Sequence, residues 1–201
     1  MIAGGGILSA HRLDEYLQAA RLAIDPDRVR VELDLTPGVA LAEALLSDID
    51  RNRDGAVSGD ERQTYSRAIM DALELAVDGT AVPLQLATAT FPATEAVDRG
   101  EGTIQLRATA MLPPLGNGAH QLSFRNRHHP DHSVYLANAL MPERDAVAIT
   151  AQHRQGDQSA LTIEYVLRDT PGASRAAWLL GAIALASLLL VIVVRAVRAR
   201  D

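Results

Sequence analysis

The chain has 201 residues, a net charge of −6, no cysteine and no lysine, all 19 basic residues being arginine. The acidic balance argues against a nucleic-acid partner, and the missing thiols exclude disulfides and cysteine chemistry. Abundant alanine with arginine as the sole strong base fits a GC-rich bacterial genome.

Residues 1–10 are apolar and glycine-rich and end Leu-Ser-Ala before His11. They read as the remnant of a secretory signal, although the basic start and full apolar run of such a signal are missing; the alternative is a tail-anchored chain whose domain faces the cytoplasm. Cleavage after Ala10 would make His11 the first residue, whose amine and imidazole together could chelate Cu²⁺ or Ni²⁺. Residues 17–24 and 29–35 flank Asp25-Pro26-Asp27-Arg28, and Val29, Val31, Leu33 and Leu35 alternate onto one face, so the segment 11–37 is expected to form a β-hairpin.

From residue 38 the period changes. Leu41, Leu45 and Ile49 recur every four residues, with Leu46 beside them, in a stretch free of glycine and proline after Gly38. Tyr65, Ile69, Ala72 and Leu73 share one face of a second helix expected to begin near Asp60. Between them stands D-R-N-R-D-G-A-V-S-G-D-E, Asp50 to Glu61. A hard dication takes six to eight oxygens at roughly 2.3–2.6 Å, and a twelve-residue loop can deliver them from its positions 1, 3, 5, 7, 9 and 12. Those positions hold Asp50, Asn52, Asp54, Ala56 through its carbonyl, Ser58 and Glu61. Gly55 permits the sharp turn, and apolar Val57 is expected to pack inward.

The match to D-x-[DN]-x-[DN]-G-x₅-E resembles the EF-hand calcium-binding family over residues 38–73. The resemblance implies bound Ca²⁺, with Glu61 as bidentate ligand. One residue departs from it: Arg62 stands where the family usually has an apolar residue, which implies looser packing of the exiting helix. Related D-x-D-x-D-G loops of the dockerin type normally come duplicated, and this chain has one copy. A lone hand lacks the partner loop with which such hands usually pair, so a homodimer through the same loop is one expectation. The run from His11 to Ala19, the Leu-Asp-Leu-Thr-Pro-Gly of residues 33–38 and the following loop are loosely similar to extracytoplasmic segments of nickel/cobalt-exporter-like membrane proteins. That likeness implies a membrane-protein or transporter partner.

Beyond the helices, residues 73–77 and 82–87 flank Asp78-Gly79, a dipeptide suited to a tight turn. Further strands are expected at 103–110, 120–125, 134–138, 147–153 and 160–167, with Gly156-Asp157 turning the last pair. His128, His129 and His132, with Asp131, offer borderline-metal ligands around a proline-broken segment that also reads as a solvated loop. Residues 169–175 read as a linker. Residues 176–194 carry no charge and are long enough to cross a hydrocarbon core about 30 Å thick. Trp178 stands at the near interface, and Arg195, Arg198 and Arg200 beyond the run place the tail 195–201 in the cytoplasm and the rest outside.

The expectation is an α+β chain: an antiparallel β-sandwich-like domain whose strands fill 74–168 after the first hairpin, an inserted EF-hand helix-loop-helix, and one C-terminal transmembrane helix. No H-E-x-x-H, nucleophile elbow, P-loop or dinucleotide fingerprint is present, so the residues read as a binding module rather than an enzyme. The alternative is a transition-metal (Ni, Cu or Zn) chaperone or sensor accessory to a metal transporter, working through the histidines.

Overall fold

The computed structural model describes residues 14–168. The possible signal remnant 1–10, His11, the linker 169–175, the apolar run 176–194 and the tail 195–201 lie outside the described residues.

Ten strands form two five-stranded sheets. In chain order the elements are β1 (Tyr16–Ile24), β2 (Arg28–Pro37), α1 (Val39–Ile49), α2 (Gly59–Asp71), β3 (Leu73–Val77), β4 (Thr80–Ala81), β5 (Gln85–Thr90), α3 (Thr94–Asp98), β6 (Ile104–Met111), β7 (Gly118–Asn126), β8 (Ser133–Ala139), β9 (Val147–Arg154) and β10 (Ala160–Leu167). One sheet runs β5-β6-β2-β1-β8 and the other β4-β3-β7-β10-β9. Among the described residues no helix is long and apolar enough to cross a membrane.

The first hairpin follows from its alternation. β1 and β2 pair from Tyr16↔Pro37 to Ile24↔Val29, and Asp25 N donates to Arg28 O at 2.9 Å to close the turn. Period-2 alternation puts Leu22, Ile24, Val29, Val31, Leu33 and Leu35 on one face, where each is at most 2% exposed. Leu122, Phe124, Leu161, Ile163 and Tyr165 of the second sheet close the same core from the other side. On the outer face of the first sheet, Arg21 and Arg107 both reach Asp34, at 2.7 and 3.0 Å. Burial would raise the Asp34 carboxyl, but the hydrogen bonds from the two arginines outweigh it and hold the group below its ordinary range.

Three expectations need correction. Residues 82–87 do not form one strand paired with β3. Asp78 and Gly79 turn the chain as expected, but β4 pairs with β3 only at Ala76↔Ala81 and Val77↔Thr80. Pro83, which has no N–H to give a ladder, follows at once, and the chain crosses to the other sheet as β5. The sandwich is also not wholly antiparallel, because β8 returns beside β1 in parallel, from Tyr16↔Ser133 to Leu22↔Ala139. The short helix α3 was not expected from the pattern. It lies against α1, where Gly100 (φ +69) comes so close that an added Cβ would sit 2.7 Å from Val39 Cγ2.

The helical pair closes one end of the sandwich. Ala42, Leu45 and Ile49 of α1 and Tyr65 and Ile69 of α2 are buried in the shared core, so the four-residue spacing of the sequence was the packing face. Arg62 is exposed, and α2 seats through Tyr65 and Ile69 without it. The second helix ends at Asp71 and Leu73 already belongs to β3.

Ile69 is fully buried between α2 and the sheets, so Ile69→Ala should destabilise the protein by about 2–5 kcal/mol through lost burial and the cavity left behind. Urea unfolding checks it; an unchanged midpoint would mean that α2 does not share the sandwich core.

Candidate metal site and the polar cluster beside it

The loop between α1 and α2 is bounded by two capping residues. Asp50 is the C-cap of α1, its N–H bonded to Leu46 O, and Ser58 is the N-cap of α2. Ser58 and Glu61 form a capping box: Glu61 N donates to Ser58 Oγ at 3.3 Å, and Ser58 N donates to Glu61 Oε2 at 2.9 Å. The box satisfies two donors that the first turn of α2 would leave unpaired, and Asp60 and Glu61 set negative charge at its positive end.

Side-chain oxygens fold the loop. Asp50 accepts from Asp54 N (3.2 Å) and Gly55 N (2.9 Å), Asn52 Oδ1 from Asp54 N (2.9 Å), and Asp54 Oδ1 from Ala56 N (2.9 Å). Glu61 Oε1 accepts from Asn52 N at 3.3 Å, tying the last loop position back to the third. Gly55 adopts φ +83, as the sixth position of such a loop requires, and Arg53 adopts φ 59. Val57 is half-buried against the core, as its apolar side chain implied.

Hydrogen bonds from the Ser58 backbone, and next from its hydroxyl, hold the Glu61 carboxyl below its ordinary range, so it is an anion at neutral pH. The donor set of Asp50, Asn52, Asp54, Ser58, Glu61 and the Ala56 carbonyl is all oxygen, which suits a hard cation such as Ca²⁺ and not a thiophilic metal. Each carboxylate keeps lone pairs beyond the N–H bonds it accepts. Among the described residues no three His, Cys, Asp or Glu side chains converge closely enough to hold a metal ion. The Glu61 carboxylate is turned toward Ser58, whose hydroxyl also donates to it at 2.8 Å. The residues therefore fit the cation chemically, and bidentate coordination by Glu61 competes with its capping bonds.

The histidine segment differs from a solvated loop. His128 is 6% exposed, and its Nε2 shares a hydrogen bond with the Tyr65 hydroxyl at 3.1 Å. Tyr65 in turn lies 3.3 Å from the Tyr16 hydroxyl. Gln18, 1% exposed on β1, donates to His128 O (2.7 Å) and accepts from Asn126 Nδ2 (2.8 Å), while Asn126 Oδ1 accepts from His128 N (2.9 Å). Tyr135 OH donates to the same His128 carbonyl at 2.9 Å. Burial, with His129 stacked edge-on at 4.3 Å between ring centroids, pushes the His128 imidazole down to about 3.

His129 and His132 do stay near the surface. Together with Asp131 and Asp48 they line a pocket of about 350 Å³ between α1 and the turn after β7, where His129 Nε2 and Asp48 Oδ2 are 4.0 Å apart. Asp48 was missed by the sequence reading, because a helical aspartate 81 residues away gives no local signal of facing His129. Thus the six loop residues lie along one capped segment without converging on a point, and the structure separates His128 from the other two histidines.

Comparison with protein-family models and with curated proteins finds no match for this chain.

Because His128 stays neutral in the fold and takes a proton near 6.5 when unfolded, the unfolded state binds the extra proton as pH falls from about 6.5 toward 3. Its contribution to stability is complete above that window and is lost within it, by up to about 1.4 kcal/mol per pH unit. Chemical unfolding of wild type and His128→Gln at pH 7, 6 and 5 should show a steeper loss for wild type. Parallel slopes would mean that folded His128 accepts the proton freely.

Proposed function

We propose that this chain is a calcium-binding, membrane-anchored extracytoplasmic module with an EF-hand inserted in a β-sandwich, acting as a binding or accessory unit and not as an enzyme. The observation that carries the reading is the loop itself. Its oxygens come from a segment held at both ends by helix caps, Asp50 and Ser58, and the helices are seated in the core by Ile49, Tyr65 and Ile69. Asp50, Asn52, Asp54, Ser58 and Glu61 would hold the ion with the Ala56 carbonyl. Calcium would supply two positive charges against the three carboxylates of Asp50, Asp54 and Glu61 in one loop. In this reading the apolar run 176–194 is the single-pass anchor, and the tail 195–201 is cytoplasmic.

Calcium acts here as a staple. Extracellular modules bind it with dissociation constants of roughly 10⁻⁴ to 10⁻³ M, and a ligand that binds only the folded state adds RT ln(1 + [L]/Kd), a few kcal/mol at most. The helical pair shares its buried residues with the sandwich, so stabilising the loop stabilises the whole domain.

A second reading is a transition-metal chaperone or sensor, favoured by one feature. His129, Asp131 and His132 of one turn and Asp48 of α1 line the same pocket, where His129 Nε2 and Asp48 Oδ2 stand 4.0 Å apart.

Calorimetric titration of the full chain in detergent with Ca²⁺, Ni²⁺ and Cu²⁺ separates the two: calcium heat alone supports the first, and sub-micromolar nickel or copper binding at the histidines the second. Glu61→Gln should lower calcium affinity sharply and Ser58→Ala less, since the ninth position often acts through water. Equal affinities for Glu61→Gln and wild type would remove the EF-hand reading.

Without metal the order of effect should change, because Ser58 is also the N-cap of α2. Ser58→Ala should then lower stability by about 0.5–2 kcal/mol. Thermal melting in calcium and in chelator measures both effects, and a midpoint indifferent to calcium would sink the staple.

A further inference from the structure

Both ring nitrogens of His120 meet an acceptor. Nδ1 lies 2.7 Å from Asp78 Oδ2, and Nε2 lies 2.7 Å from Gly116 O. Neither partner has a proton to give. A main-chain carbonyl only accepts, and the Asp78 carboxyl is held below its ordinary range, first by the His120 bond and next by the Gln121 N–H that donates to its Oδ1 at 2.9 Å. A neutral imidazole carries one N–H and one lone pair, so only the imidazolium completes both bonds.

The two limbs of this arrangement are unequal. Asp78, in the turn between β3 and β4, is tied to β7 twice more, through Gln121 N and through its own N–H, which donates to Gln121 O at 2.8 Å. The loop Leu-Pro-Pro-Leu-Gly-Asn, residues 112–117, has no such reserve. Leu112 N donates to Asp27 O at 2.9 Å where the loop begins, and Pro113 and Pro114 have no N–H. Among the described residues, no turn or side-chain hydrogen bond reaches 113–117 other than the one from His120. Leu115 of this loop packs against the core.

Few other groups face the ring. Glu164 and Tyr165 of β10 and Thr150 of β9 line one cavity of about 280 Å³ with Asp78 and His120. Glu164 lies 3.4 Å from His153, and burial pushes the Tyr165 hydroxyl up to about 12, so that ring, 5.7 Å from His120 between centroids, stays neutral. The loop 112–117 carries no charged residue. A carboxylate–imidazole pair also serves general-base catalysis, but here the far nitrogen is spent on a carbonyl and no hydroxyl bonds to it.

We propose that His120 is a proton-operated clasp: as the imidazolium it fastens the loop 112–117 to β7 and to the β3–β4 turn, and on losing its proton it keeps Asp78 and releases Gly116. The remaining proton stays on Nδ1 because a hydrogen bond to a carboxylate is roughly twice as strong as one to a neutral acceptor. The Nε2 lone pair then faces the lone pairs of the Gly116 carbonyl, and the loop swings from β7, drawing Leu115 off the core. The bond to Asp78, and next that to Gly116 O, raise the folded imidazole above its ordinary value. The clasp is therefore closed below about pH 6.5 and opens as pH rises through the raised value, the opposite direction to His128.

The test is nuclear magnetic resonance of the full chain in detergent, following the histidine ring nitrogens and the backbone order parameters of Leu115, Gly116 and Asn117 while pH is raised. The His120 ring should titrate above about 6.5 with its neutral form protonated on Nδ1. The loop order parameters should fall from about 0.85 to below about 0.6 with the same midpoint, while that of Leu122 stays constant. Asp78→Asn should move ring and loop midpoints together to lower pH, by about one unit or more. His120→Gln should leave the loop loose at every pH; if that variant does not fold, the shift in Asp78→Asn decides. A ring that titrates at or below 6.5, a neutral ring protonated on Nε2, or a loop indifferent to the titration would each overturn the clasp. So would a loop that still follows pH in His120→Gln, or one whose midpoint Asp78→Asn leaves in place. None of these outcomes depends on calcium binding or on the anchor reading.

Discussion

The hydrogen-bond chain Gln18–Asn126–His128–Tyr65–Tyr16 is the constraint on which the helix-bearing end of this molecule depends. A polar group removed from water costs free energy unless it is bonded, and here five buried residues are linked through side chains and the His128 backbone across four segments. Gln18 belongs to one sheet and Asn126 to the other, so their bond fixes how the sheets meet at this end. Tyr65 brings α2 into the same network. The apolar core supplies most of the drive to fold, but apolar packing is non-directional, and the polar chain selects one arrangement of sheets, helix and turn.

Glu61 makes the next link. It lies one helical turn before Tyr65, so the residue that caps α2 and the residue that anchors it share a face. Any cation drawn to Glu61 pulls against bonds that hold the start of α2, and the far end of that helix is fixed in the core by Ile69. Energy exchanged at the loop is thereby felt by the sandwich. The apolar Val57 in the middle of the loop packs against this chain's own core, a further tie between loop and sandwich.

Much of this was legible in the residues because it is local. The alternation of Val29, Val31, Leu33 and Leu35 fixed a strand face, the spacing of Leu45 and Ile49 fixed a helix face, and Gly55 marked a turn that needs positive φ. Pro83 also carries a local signal, since a residue without an N–H ends the ladder that Asp78-Gly79 begins, and it outweighs the apolar pattern around it.

By itself the sequence determined the helix-loop-helix, the oxygen chemistry of its loop, most of the strand positions and the sandwich-like type of fold, because periodicity, turn chemistry and ligand spacing act over a few residues. Only the tertiary structure decided the rest. The parallel return of β8 beside β1 depends on which edge is left open after both sheets form, and no local pattern encodes that. His128 reads as one more polar residue in Arg-His-His-Pro-Asp-His, yet burial by Tyr16, Tyr65 and Gln18 makes it a neutral core group, while its neighbours His129 and His132 face a pocket with Asp48.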